Sequence, residues 1–263
     1  MKILIRYGEI ALKSPPVRKK MEKTLSRNII STLKRNGIQG KIQNSFGRIF
    51  LDTEEGTFPA LSRIPGIVSF SPCLECRSEI QDIKSLALEI SGGLEFSTFA
   101  VKTSRFGSHK FNSNEVNRTV GEEIRVGTGK KVNLSNPDIL FSIEVRDNKT
   151  YVYTKIIPGL GGLPVGTQGK IHCIIEKEDD ILAAWLFWRR GCKIIPVTKN
   201  PGLLKPLEKW TGELRYKNEI QNPIGIVSED LGLKGKYSCP VYNPLLGLTK
   251  KDKSSLMDLV NNI

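Results

Sequence analysis

At 263 residues, 39% hydrophobic and 25% charged, the chain is long enough for one large domain or two to three small ones, each with an apolar core. No apolar run approaches the ~20 residues of a membrane-spanning helix. The N-terminal MKILIRYGEIALK has no small-residue cleavage site of a signal peptide, and five cysteines, an odd number, argue against a disulfide framework and for a reducing cytoplasm.

A net charge of +13 points to a polyanionic partner, and the excess is steepest in residues 1–58, where 12 Lys/Arg face 5 Asp/Glu. Along the chain, 2–7 (KILIRY) predicts a strand, and Ser14-Pro15-Pro16 opens a helix over 16–36 that Asn36-Gly37 closes. Met21, Leu25, Ile29 and Leu33 form its packing face. The basic face carries Arg18, Lys19, Lys20, Lys23, Arg27 and Lys34, with Glu22 as the only acid, and is expected to contact RNA phosphates. Strands at 41–44 and 48–52, a helix at 57–63 and a strand at 67–71 complete a ferredoxin-like order over 1–71.

A second unit, 72–165, reads as a helix at 80–90, a strand at 99–103 and a helix at 112–125 with Ser113 as its expected cap. A hairpin joins 138–146 to 151–157 around 147–150. Lys102, Arg105, His109, Lys110, Arg118 and Arg125 lie on a strand, a loop and a helix here, a second basic group. Phe106 and Gly107 are expected to let a base or backbone approach closely. Glycines and prolines at 158–166 read as a linker. The third unit, 166–263, gives strands at 171–175, 193–197 and 224–227 with helices at 180–190 and 250–261, a short parallel α/β pattern.

The entrance to this third unit looks like that of a nucleotide-binding domain: a Gly/Pro-rich approach, Lys170, then an apolar strand. A phosphate site then needs a glycine turn with free backbone N–H groups at a helix N-terminus. The chain instead offers Glu176, Lys177, Glu178, Asp179 and Asp180, four carboxylates and one lysine. These residues are read as a vestigial nucleotide turn, their carboxylates favouring the helix dipole rather than a divalent cation.

The cysteines offer little chemistry. Cys73 and Cys76, three apart on an extended segment, point to opposite faces and lack the second pair of ligands that zinc requires. Cys173 and Cys192 read as core. Cys239, in a loop with Lys234 and Lys236, is the one candidate sulfur carrier because a thiolate is favoured there. His109 and His172 are the only histidines, and no catalytic residue is assigned.

Four motifs carry a family resemblance: 7–13 (YGEIALK), 99–105 (FAVKTSR), Asn136-Pro137-Asp138 and 158–167 (PGLGGLPVGT). In this order and spacing they resemble the tRNA 4-thiouridine synthetase (tRNA sulfurtransferase) family over about 1–170. The resemblance implies a ferredoxin-like domain, a THUMP domain that takes tRNA by shape at its acceptor end, and a PP-loop domain. Because it places RNA at the THUMP domain, Lys102, Arg105, His109, Lys110, Arg118 and Arg125 are expected to meet RNA. Where the family has SGGxDS before a helix with Ala-Ala-Trp, this chain has Glu176 to Asp180, then Ala183-Ala184-Trp185. The later segments 226–232 and 243–250 resemble the family again. The stretch between Cys192 and Ile226 is shorter than the family's, which there carries its sulfur-handling cysteine.

The expectation is a cytoplasmic tRNA-binding protein without a cofactor, which presents tRNA to a catalytic partner protein. One alternative is an active ATP-dependent sulfurtransferase, making 4-thiouridine and supplying thiamine thiazole sulfur, with an atypical nucleotide site. The other is a scaffold whose third unit forms a homodimer or partner interface through Trp185, Phe187 and Trp188.

Overall fold

The computed structural model describes residues 1–261. The first elements are β1 (Lys2–Arg6), α1 (Pro15–Arg35), β2 (Gly40–Ser45), β3 (Arg48–Thr53), α2 (Phe58–Ser62) and β4 (Ser69–Arg77), the ferredoxin-like order read from the sequence. Then come α3 (Ile80–Gly92), β5 (Thr98–Phe106), α4 (Ser113–Thr128), β6 (Lys131–Val132), β7 (Ile139–Arg146), β8 (Lys149–Tyr153) and β9 (Ile157–Pro158). The last stretch holds β10 (Lys170–Ile174), α5 (Glu178–Arg189), β11 (Lys193–Val197), α6 (Lys205–Thr211), β12 (Ile226–Val227), β13 (Val241–Tyr242) and α7 (Lys250–Asn261). No helix among the described residues is long and apolar enough to cross a membrane.

Two compact units result. The first gathers Met1–Ile5, Phe50–Thr53 and Phe70–Ile157. Its strands run β3-β1-β4-β8-β7-β5-β6, antiparallel at β4/β8 and β7/β8 and parallel at β5/β7. Helices α3 and α4 supply Ile83, Ala87, Val116, Val120 and Ile124 to a core closed by Phe96, Phe99 and Phe141, whose rings meet edge to face at 5.9–6.0 Å. Asp138 of the Asn-Pro-Asp motif clamps this sheet: its carboxylate accepts the N–H groups of Thr98 (2.8 Å) and Ser97 (3.0 Å), which hold its pKa below the usual value.

Several boundaries differ from expectation. The strand expected at 67–71 is β4, which continues to Arg77 and carries both Cys73 and Cys76. Cys73 packs with Leu4, Phe50, Tyr151 and Tyr153, while Cys76 packs against the α3/α4 cluster, so the two thiols do face opposite ways. The cap of α4 is Asn112 rather than Ser113; its side-chain oxygen accepts the Glu115 N–H at 2.9 Å. An Asn side chain reaches that amide as well as Ser does, and one residue of register decides which. The hairpin turn is the tight Asp147-Asn148 pair, with Asp147 at φ 49, the left-handed conformation that Asp tolerates.

The second unit comprises Arg6–Ile49, Glu54–Ser69 and Pro158–Ile263. Its four-stranded sheet, β11-β10-β12-β13, is parallel throughout. Ile171 and Cys173 on one face of β10, and Ile175 just after it, pack with Ala183, Ala184 and Trp185 of α5, all buried. Trp185 and Trp188 meet Trp210 of α6 edge to face at 5.3 and 6.0 Å. The aromatic helix proposed as a partner surface is therefore core: Trp185 and Trp188 are buried, and Phe187 is half-buried against Tyr242 at 5.3 Å.

The stretch read as a linker is a fixed strap. Gly159 N–H donates to Val68 O (2.9 Å), Gly161 N–H to Ile67 O (2.7 Å) and Leu163 N–H to Arg189 O (3.0 Å). Gly162 has φ +75, and a Cβ there would run into the Arg189 carbonyl, so only glycine closes the strap. Gly162→Ala is expected to lower stability by about 1–3 kcal/mol in chemical denaturation. An unchanged midpoint would show that the strap yields.

Candidate functional site

In an open parallel sheet the ligand crevice lies at the carboxyl ends of the strands, where neighbouring connections diverge. Here β10 has β11 on one side and β12 on the other, so the crevice is bounded by the turn after β10 and by Ser228-Glu229-Asp230 after β12. The Asp180 carboxylate fills that turn. Its Oδ2 accepts the backbone N–H groups of Glu176 (3.0 Å) and Lys177 (3.1 Å), in a capping box with Lys177 at the N-cap of α5. Asp180 is 4% exposed. The capping role favoured from the sequence is thus the one the geometry displays.

The surroundings are acidic as well. Glu176 and Glu178 are exposed, and Asp179 lies 3.8 Å from Lys253. Glu229 accepts the Leu245 N–H at 3.3 Å; burial first, then nearby Asp180 and Asp179, push its carboxyl up from the usual range. Amides already donated to a carboxylate cannot donate to a phosphate, and the remaining carboxylates repel one. Among the described residues, no three His, Cys, Asp or Glu converge as metal ligands. Lys170 is not part of this place. It begins β10, six residues before Glu176, or about 20 Å of extended strand away. It lines a separate 480 Å³ groove with Arg190, Cys192 and Tyr242.

The basic residues of α1 are where the periodicity puts them. Lys19, Lys20, Lys23, Arg27 and Lys34 are exposed. Arg18 is half-buried, its guanidinium 4.4 Å over the Phe46 ring and 4.0 Å from Glu22. Glu22, the lone acid, also accepts the Tyr7 hydroxyl, whose pKa burial and Glu22 push up. The acid is therefore engaged at Arg18 and Tyr7, which leaves the lysines beyond it without an acid partner on α1.

The other basic group divides. Lys102, Lys110 and Arg118 are exposed. Arg125 pairs with Glu122 at 2.6 Å, which cancels its charge locally. Arg105 donates to the Phe111 carbonyl, and His109 has Nε2 2.7 Å from the Asp147 carbonyl with its ring stacked on Phe111 at 5.5 Å. These two hold the loop. Gly107 has φ +96, and a Cβ there would meet Asp147 Oδ1 at 2.7 Å, so this position needs glycine for the loop itself. Phe106 lies under Arg146, 5.2 Å from ring to guanidinium.

Burial pushes the thiols of Cys173 and Cys192 up, and that of Cys76 up to about 12, with Asp82 and Glu75 adding to it. Such thiols are poor nucleophiles at neutral pH. Cys239 is half-buried in its lysine-bearing loop. Sequence reasoning passed over Arg63, which follows α2 and lines three adjoining cavities of the second unit. A single arginine in Ser62-Arg63-Ile64 carries no periodic or motif signal.

The comparisons with known proteins follow this order of parts. Residues 2–71 match the ThiI ferredoxin-like domain family and residues 77–155 the THUMP domain family. A probable tRNA sulfurtransferase of Methanocaldococcus jannaschii is 40% identical over 208 residues, covering 74% of this chain and 55% of that protein. One of Saccharolobus islandicus is 38% identical over 247 residues, covering 86% and 64%. The chain spans about half the length of the first curated relatives it matches. Among solved structures, PH1313 from Pyrococcus horikoshii superposes with a TM-score of 0.85 at 28% identity, covering 98% of this chain and 99% of that one. A 4-thiouridine synthetase, solved as an RNA complex with bound ATP, shares the fold at TM-score 0.79 and 22% identity, covering 98% and 84%.

The fold is that of a THUMP protein with a ferredoxin-like beginning and a parallel α/β end. Within that class, the chain belongs to the tRNA sulfurtransferase family.

His172, in β10, is 5% exposed, and neither ring nitrogen has a hydrogen-bond partner. Burial, then Lys217, pull its pKa below the ordinary 6.5. The unfolded chain therefore binds the proton first, and stability contributed by neutral His172 is lost as pH falls below about 6.5. His172→Leu is expected to flatten the fall in melting temperature between about pH 7 and pH 5; parallel curves for the two proteins would exclude His172 as its source.

Proposed function

We propose that the chain is a tRNA-binding protein whose third part, 166–263, no longer adenylates RNA, and that it presents tRNA to a partner that supplies the chemistry. On this reading 1–71 and 72–165 form the RNA-binding parts. Lys19, Lys20, Lys23, Arg27 and Lys34 of α1, and Lys102, Lys110 and Arg118, are the cations free to replace counterions on the phosphate backbone. Contacts of this kind position RNA without reading its sequence. Family membership supports tRNA as the partner, as does the RNA bound in the 4-thiouridine synthetase complex.

The loss of adenylation rests on one observation: the Asp180 carboxylate occupies the Glu176 and Lys177 amides that an ATP phosphate needs. No cofactor is assigned on this reading. The ATP bound in the related complex favours a second reading, a working ATP-dependent sulfurtransferase.

Calorimetric titration with ATP and Mg²⁺ separates the two. It is expected to give no binding heat, and saturable binding would overturn the loss of adenylation. In parallel, tRNA affinity is expected to fall steeply with salt. Replacing Lys20, Lys23 and Arg27 by Gln should reduce the log–log slope by about 2–3, or ~0.7–0.9 per phosphate contact.

A further inference from the structure

Around Arg63 the second unit contains three adjoining cavities, of 150, 430 and 210 Å³, and Arg63 lines all of them. The smallest is walled by Asn28, Ser31, Thr32 and Arg35 of α1 and by Trp188 and Trp210. Arg189 lines the second and Lys209 the third.

The cations here are satisfied unequally. Arg35 donates to the Thr211 carbonyl, Arg189 Nε to Leu160 O at 3.1 Å and Lys209 Nζ to Asn261 O at 3.2 Å. All three acceptors are neutral; Arg189 also lies 5.6 Å over the Trp185 ring, and among the described residues none of the three pairs with a carboxylate. Arg63 is half-buried and, among the described residues, its guanidinium has no hydrogen-bond or ion-pair partner. The one carboxylate in the lining, Glu208, accepts the Leu214 N–H at 3.1 Å. Four cations thus surround one engaged acid.

A partly buried cation without a counter-ion is costly unless something completes it. A guanidinium presents a planar fork of donors that matches two phosphate oxygens at once. Indole walls exclude water and focus the field on the cavity. The cleft also adjoins the basic face of α1: the exposed Ser31 at its mouth lies four residues from Arg27 and three from Lys34, next to both on the helix surface.

We infer that the Arg63 cleft is a phosphate site that receives a backbone phosphodiester of the bound RNA, with Arg63 as the bidentate donor and the α1 lysines holding the flanking phosphates. This site rests on the tRNA-binding reading, and continuity with α1 selects RNA over a small phosphate ligand.

The test measures tRNA binding by fluorescence anisotropy at several salt concentrations for the wild-type chain, Arg63→Gln and Ser31→Glu. Arg63→Gln removes a group with no protein partner and is expected to keep the wild-type melting curve. It should weaken tRNA binding about tenfold and lower the salt slope by about 0.7–0.9, one phosphate contact. Ser31→Glu, at an exposed position, places a carboxylate at the cleft mouth and should weaken binding at least as much. If the wild-type chain binds tRNA and both variants match it in affinity and slope, the cleft is not an RNA site, while the tRNA-binding reading stands. If the wild-type chain fails to bind tRNA, that reading falls and the site with it. Binding of inorganic phosphate that Arg63→Gln abolishes, with tRNA affinity unchanged, would assign the cleft to a small ligand and overturn the RNA occupant.

Discussion

The parallel α/β part depends on how α5 begins. Every α-helix starts with N–H groups that lack an internal acceptor, and in a nucleotide-binding fold a bound phosphate can supply it. Here Asp180 turns its own carboxylate back on Glu176 and Lys177. This internal anion fixes the first turn of α5, and α5 then delivers Ala183, Ala184, Trp185 and Trp188 to the core against β10 and α6. A capping contact is worth about 1 kcal/mol, and acids in the first turn gain more from the helix dipole. Two amides at the entrance of the helix are therefore engaged without a ligand. The turn needs some acceptor for its amides, and here the acceptor is internal.

The same distinction between groups spent on the fold and groups left over sorts the basic residues. Arg125, Arg105 and His109 look like RNA-facing residues in the sequence, but each already has a partner in Glu122, the Phe111 carbonyl or the Asp147 carbonyl. On α1 the reverse holds. Its single acid, Glu22, is drawn to Tyr7 and Arg18, leaving the exposed lysines without a counter-charge from their own helix. Net charge is a property of composition; charge available to a polyanion is what remains after local pairing.

The elements with strong local signals were legible from sequence. Helix α1 follows from the spacing of Met21, Leu25, Ile29 and Leu33 and from Pro15-Pro16 at its start, and the motif residues led to the family. The capping role of the acidic turn was also readable, because an acid at N3 facing free amides is a local matter. Short pieces were less readable: β12 falls inside the strand read at 224–227 but is only two residues long, β13, also two residues, gave no signal, and α6 is a seven-residue helix whose burial of Leu207 and Trp210 sets it in place more than its periodicity does. The Gly159–Gly162 strap ties to Ile67 and Val68, and the Arg63 cleft gathers Arg189 and Trp210, all far from their partners in sequence. Spacing along a sequence cannot report such convergence.

Glycine at the strap and aspartate at the turn are two solutions to close approach of backbone. At Gly162 the Arg189 carbonyl comes so near that any side chain is excluded, and the chain yields by having none. At Glu176 and Lys177 the backbone is equally exposed, but its N–H groups need an acceptor, and the chain answers with Asp180, four residues from one amide and three from the other. A phosphate-holding turn asks for the first solution, bare backbone open to an outside ligand. This chain uses that solution where its own backbone packs and the second at the turn after β10. The unmatched positive charge lies on α1 and around Arg63, where a polyanion rather than the protein itself can complete it.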